Sequence, residues 1–185
     1  MQELLIGQEL QKQLQQQATI DLTYIFNTYY KRVYNYNYYR THNQAVAEDL
    51  TSITFEKVLS HIQSYKPEKA EFEVWFFTIA RNVINDYFRK QKKYPWDSDE
   101  MVFETISKEE SLDNHVIANE EKNYLVEAIR KLKDRERALI AYKYGAGLMN
   151  KDIANIMGMK EKTISVILYR TLQKLKRELE VEMYD

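Results

Sequence analysis

Glycine and proline, on which most tight turns depend, are scarce in this chain: 4 Gly and 2 Pro occur among 185 residues. A fold with many hairpins needs more of both, so sheet-rich architectures are disfavoured and helices are favoured. Hydrophobic residues make up 44% of the sequence and charged residues 30%, a balance typical of one or two small globular domains. The sequence therefore predicts an all-α fold.

The distribution of charge divides the chain, although its net charge is only −1. Residues 1–94 carry 12 basic and 10 acidic side chains, residues 95–124 carry 2 and 9, and residues 125–185 carry 13 and 9. Two mildly basic blocks flanking an acidic segment indicate two modules joined by a tether. We interpret the acidic segment as this tether in preference to a nucleic-acid mimic. We predict a Gln-rich leader (1–19, helical or disordered), two small helical domains (20–94 and 123–185), and an acidic linker (95–122).

The clearest helical pattern in the first domain has apolar residues at spacings of 3, 4, 7, 8, 11, 12 and 15. These residues are Phe72, Trp75, Phe76, Ile79, Ala80, Val83, Ile84 and Tyr87. The opposite face carries Arg81, Asn82, Asn85 and Arg89 and leads into the basic run RKQKK. Such a face suits single-stranded DNA, because rings stack on bases, amides read base edges and cations follow the backbone. Trp75 and Phe76 fit the core better, whereas Phe77 lies off the stripe.

Weaker patterns predict two earlier helices, one capped by Asp21 and one over residues 45–64, with a break at Pro67. In the second domain, Asp134 and Asn150 are candidate caps, and Gly158 closes a short helix that precedes a long one. The long helix has an apolar stripe and an outer face. Together with the short helix before it, the long helix forms a helix-turn-helix pattern. The outer face carries Lys162, Val166, Arg170, Gln173 and Arg177. Taken alone, this face fits DNA binding and a solvated surface about equally.

Sequence motifs for catalysis are missing from the chain. Its three histidines, His42, His61 and His115, are scattered, and no HExxH, GxxxxGK[ST], GxGxxG or GxSxG pattern occurs. The lack of cysteine excludes disulfides, thiolate nucleophiles and Cys-ligated zinc. No run approaches the ~20 apolar residues of a spanning helix, and no signal peptide is visible. We predict a cytoplasmic protein without enzymatic activity, cofactor, metal or membrane contact of its own.

With both domains in place, residues 20–180 resemble a bacterial RNA polymerase sigma factor of the extracytoplasmic-function (ECF) type. AEDLTSITFEKV is similar to the polymerase-binding helix of that family, and FEVWFFTIARNVINDYFRKQKK to its promoter-melting helix. The specific core of the second segment is Trp75, Ile79, Ala80 and Asn82. LKDRERALIAYKYGAGLMNKDIANIMGMKEKTISVILYRTLQKLKREL is similar to the family's upstream-element helix-turn-helix. The resemblance implies two small helical domains, a sigma region two bundle and a sigma region four helix-turn-helix, joined by the acidic linker.

The resemblance also implies contacts with the polymerase and with the minus-ten element. The first domain would dock on the clamp helices of the largest polymerase subunit, and the flap would hold the second. The implied polymerase-binding residues are Glu48, Asp49, Leu50, Phe55 and Glu56. The loop Lys66–Glu71 would capture a base flipped from the non-template strand. The implied minus-ten residues are Lys66, Lys69, Phe77, Arg81, Asn82, Asn85, Arg89 and Lys90.

For the minus-thirty-five element, the resemblance adds Ser165 to the outer face of the last helix and matches Arg170 to a DNA-contacting position. The full set is Lys162, Ser165, Val166, Arg170, Gln173 and Arg177. The chain departs from the family at Ser52 and Ile53 (usually Gln-Glu), at Lys160 (usually a Ser cap) and at Ile167 (usually basic). Fewer cations predict a shallower salt dependence, and Val166 predicts a preference for T-containing steps.

Two other functions compete with a promoter-specificity subunit. One is a polymerase-independent, two-domain helix-turn-helix regulator, which leaves the polar face of residues 72–89 unexplained. The other is a decoy that binds polymerase without recognising DNA. The resemblance further implies an anti-sigma factor as a regulatory partner. We also hypothesise that the two domains pack together in the free protein and separate on the polymerase.

Overall fold

The computed structural model describes residues 22–93 and 124–182, and all regular structure in these ranges is helical. The predicted leader, linker and Asp21 cap lie outside the described residues. Residues from Arg32 onward belong to one compact unit and those up to Lys31 to another. The all-α prediction is confirmed for the described part of the chain. None of the helices described there is long and apolar enough to cross a membrane.

Long helices form the amino-terminal module, residues 22–93. Helix α1 spans Leu22–Thr41, α2 spans Gln44–His61 and continues as a 3-10 turn over Ile62–Ser64, and α3 spans Phe72–Lys93. The link between α1 and α2 is tight because His42 adopts a left-handed backbone conformation, with φ of 50°. Asn43 then caps α2, since its side chain accepts a hydrogen bond from the Val46 N–H at 3.0 Å.

Helix α3 is buried on two sides. Phe76 meets Phe55 of α2 with ring centroids 5.5 Å apart, and Phe77 meets Tyr36 of α1 at 6.1 Å. Both Phe76 and Phe77 are fully buried. This corrects the expectation that Phe77 contacts DNA. Successive helical side chains point about 100° apart, so Phe76 and Phe77 fill two different packing surfaces, of which the apolar stripe includes only the first.

The carboxy-terminal module, residues 124–182, is a helix-turn-helix with two supporting helices. Residues 124–130 form α4, α5 spans Asp134–Ile140 and continues as a π-helical turn over Ala141–Gly145, α6 spans Asn150–Met157, and α7 spans Glu161–Glu182. The N-cap positions lie one residue before the predicted ones, at Lys133 and Met149, and neither of these side chains makes a capping hydrogen bond. Gly158, with φ of 65°, ends α6 in the left-handed conformation that allows the turn into α7. The helix-turn-helix prediction is confirmed.

The apolar stripe of α7 packs inward against α5 and α6. Ile164, Leu168 and Leu175 are buried together with the polar Thr171, whereas Leu172 at the edge of the stripe is 38% exposed. Burial on this side leaves the opposite side of α7 to solvent. The fold thus displays the outer face that the sequence identified.

Candidate nucleic-acid interface

The outer side of α3 is polar and open to solvent. Asn82, Asn85, Arg89 and Lys90 are all exposed, and we call these four residues the α3 face. Arg89 pairs with Asp86 at 3.0 Å, but its side chain remains 78% exposed. Exposed pairs of this kind contribute about 0–1 kcal/mol, so a phosphate can displace the carboxylate. These four predicted strand-binding residues therefore form one accessible surface.

Arg81, predicted to act with the α3 face, has a different environment. Its Nη1 donates a hydrogen bond at 2.5 Å to the carbonyl of Ile156, in the last turn of α6. The last four carbonyls of a helix have no N–H donor within that helix. The guanidinium therefore caps the carboxyl end of α6. In this structure Arg81 is engaged by the protein itself.

The loop Lys66–Glu71 stands beside a cluster of aromatic rings. Tyr65 lies 5.2 Å from both Phe72 and Trp75, measured between ring centroids, and its hydroxyl donates to the Ala70 carbonyl at 3.1 Å. Lys66 and Lys69 on the loop are exposed. The cluster anchors both ends of the loop. Sequence analysis missed Tyr65, for which the only signal was an aromatic residue two positions before Pro67.

Acidic side chains line the exposed side of α2. Glu48, Asp49 and Glu56, three of the predicted polymerase-binding residues, all reach solvent there. Ile53 is 40% exposed beside them and gives this surface an apolar component. The sequence had marked Ile53 only as a departure from the family pattern.

The two apolar residues predicted to bind polymerase are placed differently. Leu50 is 3% exposed and belongs to the core, which corrects the expectation that it docks on the polymerase. Phe55 is half-buried, because its ring packs against Phe76. Phe55 packs against α3 and Leu50 belongs to the core, so an outward apolar contact of α2 comes from other positions, such as the exposed Ile53.

All six residues predicted to read the minus-thirty-five element are exposed on α7. We call this set the α7 face: Lys162, Ser165, Val166, Arg170, Gln173 and Arg177. In the part of the chain that the structure describes, Lys162 and Arg170 take part in no ion pair. Tyr169, 65% exposed beside Arg170, was placed only at the edge of this face by the sequence.

Ser165 is tied to the neighbouring helix. Its hydroxyl donates to the Glu161 carbonyl at 3.1 Å and accepts from Asn150 Nδ2 of α6 at 3.0 Å. The hydroxyl proton is therefore used within the protein, which leaves Ser165 an acceptor toward DNA. The same contact joins α6 to α7, the two helices of the helix-turn-helix.

Comparisons with known proteins agree with this arrangement of two modules. The family model for Sigma-70 region 2 matches residues 25–94, and that for Sigma-70 region 4 matches residues 128–177. The ECF RNA polymerase sigma factor SigM of Bacillus subtilis is 31% identical over 152 residues, which cover 82% of this chain and 91% of SigM. The ECF RNA polymerase sigma factor BldN of Streptomyces coelicolor is 31% identical over 156 residues, which cover 84% of this chain but only 59% of BldN.

A solved structure shares the fold. The sigma factor RpoE of Bartonella quintana, crystallised with the anti-sigma factor NepR, superposes with a TM-score of 0.68 at 21% identity, covering 87% of this chain and 98% of that one. The two matched regions, the identity with SigM over nearly its whole length, and the shared fold lead to one conclusion. The chain belongs to the ECF family of sigma-70-type RNA polymerase sigma factors.

Proposed function

We propose that this sigma factor, which directs RNA polymerase to specific promoters, divides promoter recognition between the α3 face and the α7 face. The α3 face, with the loop Lys66–Glu71, holds the separated strand of the minus-ten element. The α7 face lies in the duplex of the minus-thirty-five element. The observation that carries the proposal is that both polar faces are exposed on helices whose other sides are buried in the core.

Strand capture at the minus-ten element follows from the chemistry of the α3 face. Asn82 and Asn85 supply amides that can pair with a base edge, and Arg89 and Lys90 supply charge for phosphates. Turning a base out of the duplex costs a few kcal/mol of stacking. A loop already held by the Tyr65 cluster offsets part of that cost, because it need not be ordered when the base arrives.

Readout of the minus-thirty-five element follows from the dimensions and composition of α7. A helix of 22 residues is about 33 Å long and 10–12 Å wide, which matches a major groove about 12 Å wide. Arg170 and Gln173 can pair with purine edges, and Val166 can meet a thymine methyl group. Lys162 and Arg177 are placed for phosphate contacts.

We further propose that the acidic side of α2 docks on the clamp helices of the largest polymerase subunit and that the carboxy-terminal module docks on the flap. Glu48, Asp49, Glu56 and the exposed Ile53 supply the charge and apolar contact for the first of these sites. An anti-sigma factor is the expected regulatory partner, since the related RpoE was crystallised with one. A polymerase-independent regulator is not favoured, because it gives the α3 face no role.

Run-off transcription with core RNA polymerase on a genomic promoter library tests the proposal. We expect defined transcripts that depend on this protein, and their loss in Arg170→Glu. Lys176→Glu is the matched control, since it reverses an exposed charge on the same helix outside the α7 face. A library without dependent transcripts, or equal activity of the two variants, would contradict the assignment. A decoy would be indifferent to both substitutions.

A second pair of variants tests the α3 face alone. Asn82→Ala should leave duplex binding by the holoenzyme intact and reduce permanganate-reactive open complex several-fold. Asn155→Ala removes an exposed amide from α6 and should change neither quantity. Equal open-complex yields in Asn82→Ala and wild type would remove Asn82 from strand capture.

A further inference from the structure

Buried nitrogen atoms without hydrogen-bond partners gather where the carboxyl end of α1 lies beside α4 and α5. Four of them have no partner in the part of the chain that the structure describes, and we call their side chains the donor cluster: Arg40 Nε, His42 Nε2, Arg130 Nε and Arg137 Nε. Arg40 and His42 are only 4% and 5% exposed. Buried polar atoms in native proteins nearly always have a partner, so four exceptions in one place call for a specific explanation.

Other contacts hold the arginines of the donor cluster in place. Arg40 Nη2 donates to Asp134 Oδ1 at 2.8 Å, and Arg130 Nη1 donates to Glu127 Oε1 at 2.6 Å. Arg137 Nη2 donates to the Arg130 carbonyl at 2.8 Å. These contacts leave the Nε–H groups to a further acceptor. The cluster is therefore preorganised, because binding there does not have to order flexible side chains.

The donor cluster has an excess of positive charge. In the described part of the chain its three guanidinium groups have two carboxylate partners, Asp134 and Glu127, so one positive charge is left over. His42 adds none, because burial and the nearby arginines lower its pKa to about 4. Burial, and then the charge of Arg40, lower the pKa of Arg137, so the positive charges of the cluster act on one another. A ligand with one negative charge balances the cluster, whereas the roughly two charges of a phosphate monoester exceed that balance.

An apolar cavity opens beside the donor cluster, and His42 belongs to both. The cavity has a volume of about 310 Å³, and the other side chains that line it are aromatic or aliphatic: Tyr38, Tyr39, Leu125, Val126 and Ile129. A dry cavity of about 150 Å³ is enough for benzene. The cavity here therefore has room for an aromatic ring and a short chain, and its size is at the lower end of that of ligand sites.

We propose that the cavity and the donor cluster form one binding site for a small aryl carboxylate, that is, an aromatic ring joined to a carboxylate by a short chain. The ring occupies the cavity. The carboxylate accepts hydrogen bonds from the donor cluster, in which the neutral imidazole of His42 carries its proton on Nε2. Two carboxylate oxygens offer about four acceptor positions, which matches the four nitrogen atoms of the cluster.

Simpler ligands satisfy only half of this site. A bare anion pairs with the donor cluster but leaves the apolar walls of the cavity in contact with water. An uncharged aromatic molecule fills the cavity but leaves four buried nitrogen atoms without acceptors, which is the costlier omission. The two halves together favour a ligand that is apolar at one end and singly charged at the other. Its binding requires neither polymerase nor DNA, so the site extends beyond promoter recognition and does not depend on it.

Isothermal titration calorimetry with the full-length protein tests the site. The probes are benzoate, phenylacetate and 3-phenylpropionate, whose chains increase in length. Each is compared with the alcohol of the same carbon skeleton, which lacks the charge, and with acetate, which lacks the ring. We expect at least one of the three to bind one-to-one, and at least about tenfold more tightly than its alcohol and than acetate. The proposal fails if none of the three binds at millimolar concentration, or if that margin is absent.

A cavity-filling variant tests where the ring lies. Val126→Phe puts a side-chain ring into the cavity, and Val126→Thr is the matched control, because threonine has nearly the shape of valine and leaves the cavity open. We expect the best probe to bind at least about tenfold more weakly to Val126→Phe and within about twofold of wild type to Val126→Thr. Leu125→Trp, at a side chain that is 40% exposed, fills the cavity by another route if Val126→Phe does not fold. Unchanged affinity in a folded, filled variant means that the probe binds elsewhere, and it overturns the site.

A charge variant tests where the carboxylate lies. Arg130→Gln removes one nitrogen donor and the excess charge of the cluster. Lys131→Gln is the matched control, since it neutralises the next residue, whose side chain is 50% exposed. We expect Arg130→Gln to weaken the binding of the aryl carboxylate about tenfold, to leave the binding of its alcohol unchanged, and Lys131→Gln to affect neither. An equal loss in the two variants would reduce the attraction to general surface charge and overturn the role of the donor cluster.

Thermal unfolding followed by circular dichroism gives a second readout. A ligand that binds only the folded protein raises the Tm as its concentration rises. The best aryl carboxylate should raise the Tm of wild type and of Lys131→Gln, and should raise that of Arg130→Gln and Val126→Phe far less. The same scans show that each variant is folded before its affinity is compared. Equal rises in all four proteins would contradict the proposed site.

Discussion

His42 gives the stability of this protein a pH dependence that can be worked out from its surroundings. The side chain is 5% exposed in the link between α1 and α2. Burial, followed by the positive charges of Arg137 and Arg130, lowers the pKa of His42 from 6.5 to about 4. The imidazole is therefore neutral in the folded protein at pH 5, where it is already protonated in the unfolded chain.

The sign and size of the effect follow by linkage. The stabilising contribution of a neutral His42 is fully present above pH 6.5 and is lost as the pH falls toward 4, because the unfolded chain then binds a proton that the fold excludes. At 1.36 kcal/mol per pKa unit, the whole shift corresponds to roughly 3 kcal/mol. Between pH 7 and pH 4.5 the free energy of unfolding should fall by roughly 2 kcal/mol on this account.

Urea unfolding at fixed ionic strength, followed by circular dichroism, measures this loss for wild type and for His42→Asn. Asparagine tolerates the positive φ of 50° at this position and does not titrate. Carboxylates titrate in both proteins, so their effect cancels in the difference between the two curves. We expect the wild type to lose roughly 2 kcal/mol more than the variant over this range. Parallel curves would refute the reasoning.

Four further substitutions have defined outcomes. Lys160→Ser supplies a cap for the first turn of α7, where the Lys160 carbonyl already accepts from two N–H groups, and should raise the free energy of unfolding in urea by about 1 kcal/mol. Gly158→Ala forces a side chain into φ of 65° and should lower it by about 1 kcal/mol in the same assay. Phe77→Ala should lower it by about 3–5 kcal/mol, because Phe77 is core; a stable variant with a specific melting defect would contradict this. Arg177→Ala should reduce the salt slope of holoenzyme binding to promoter duplex by about 1, because Arg177 is placed for a phosphate contact, with Lys176→Ala unchanged.

The helices and the α7 face could be predicted from sequence because each depends on local periodicity. A residue that faces the core recurs every three or four positions, so the buried Ile164, Leu168 and Leu175 also identify the exposed side of α7. The same rule found the α3 face. Periodicity describes one helix at a time and needs no knowledge of its neighbours.

The predictions that Phe77 contacts DNA and that Leu50 docks on the polymerase were wrong because the sequence does not show how many helices pack against a given helix. A stripe is a sufficient description when a helix packs on one side, but α3 packs against α1 and α2 at once. Phe77 fills the second of these surfaces, and Leu50 fills the side of α2 that faces the core. Whether a helix has one packing partner or two is decided by the tertiary fold, which a local pattern does not contain.

Arg81 shows why the contacts between modules could not be predicted from a motif. Its acceptor, the Ile156 carbonyl, lies 75 residues away along the chain, and any residue in the last turn of α6 would offer an equivalent oxygen. A helix-end carbonyl and a DNA phosphate both present negative charge on oxygen to the same planar donor. An arginine selected for one of these acceptors is therefore suited to the other.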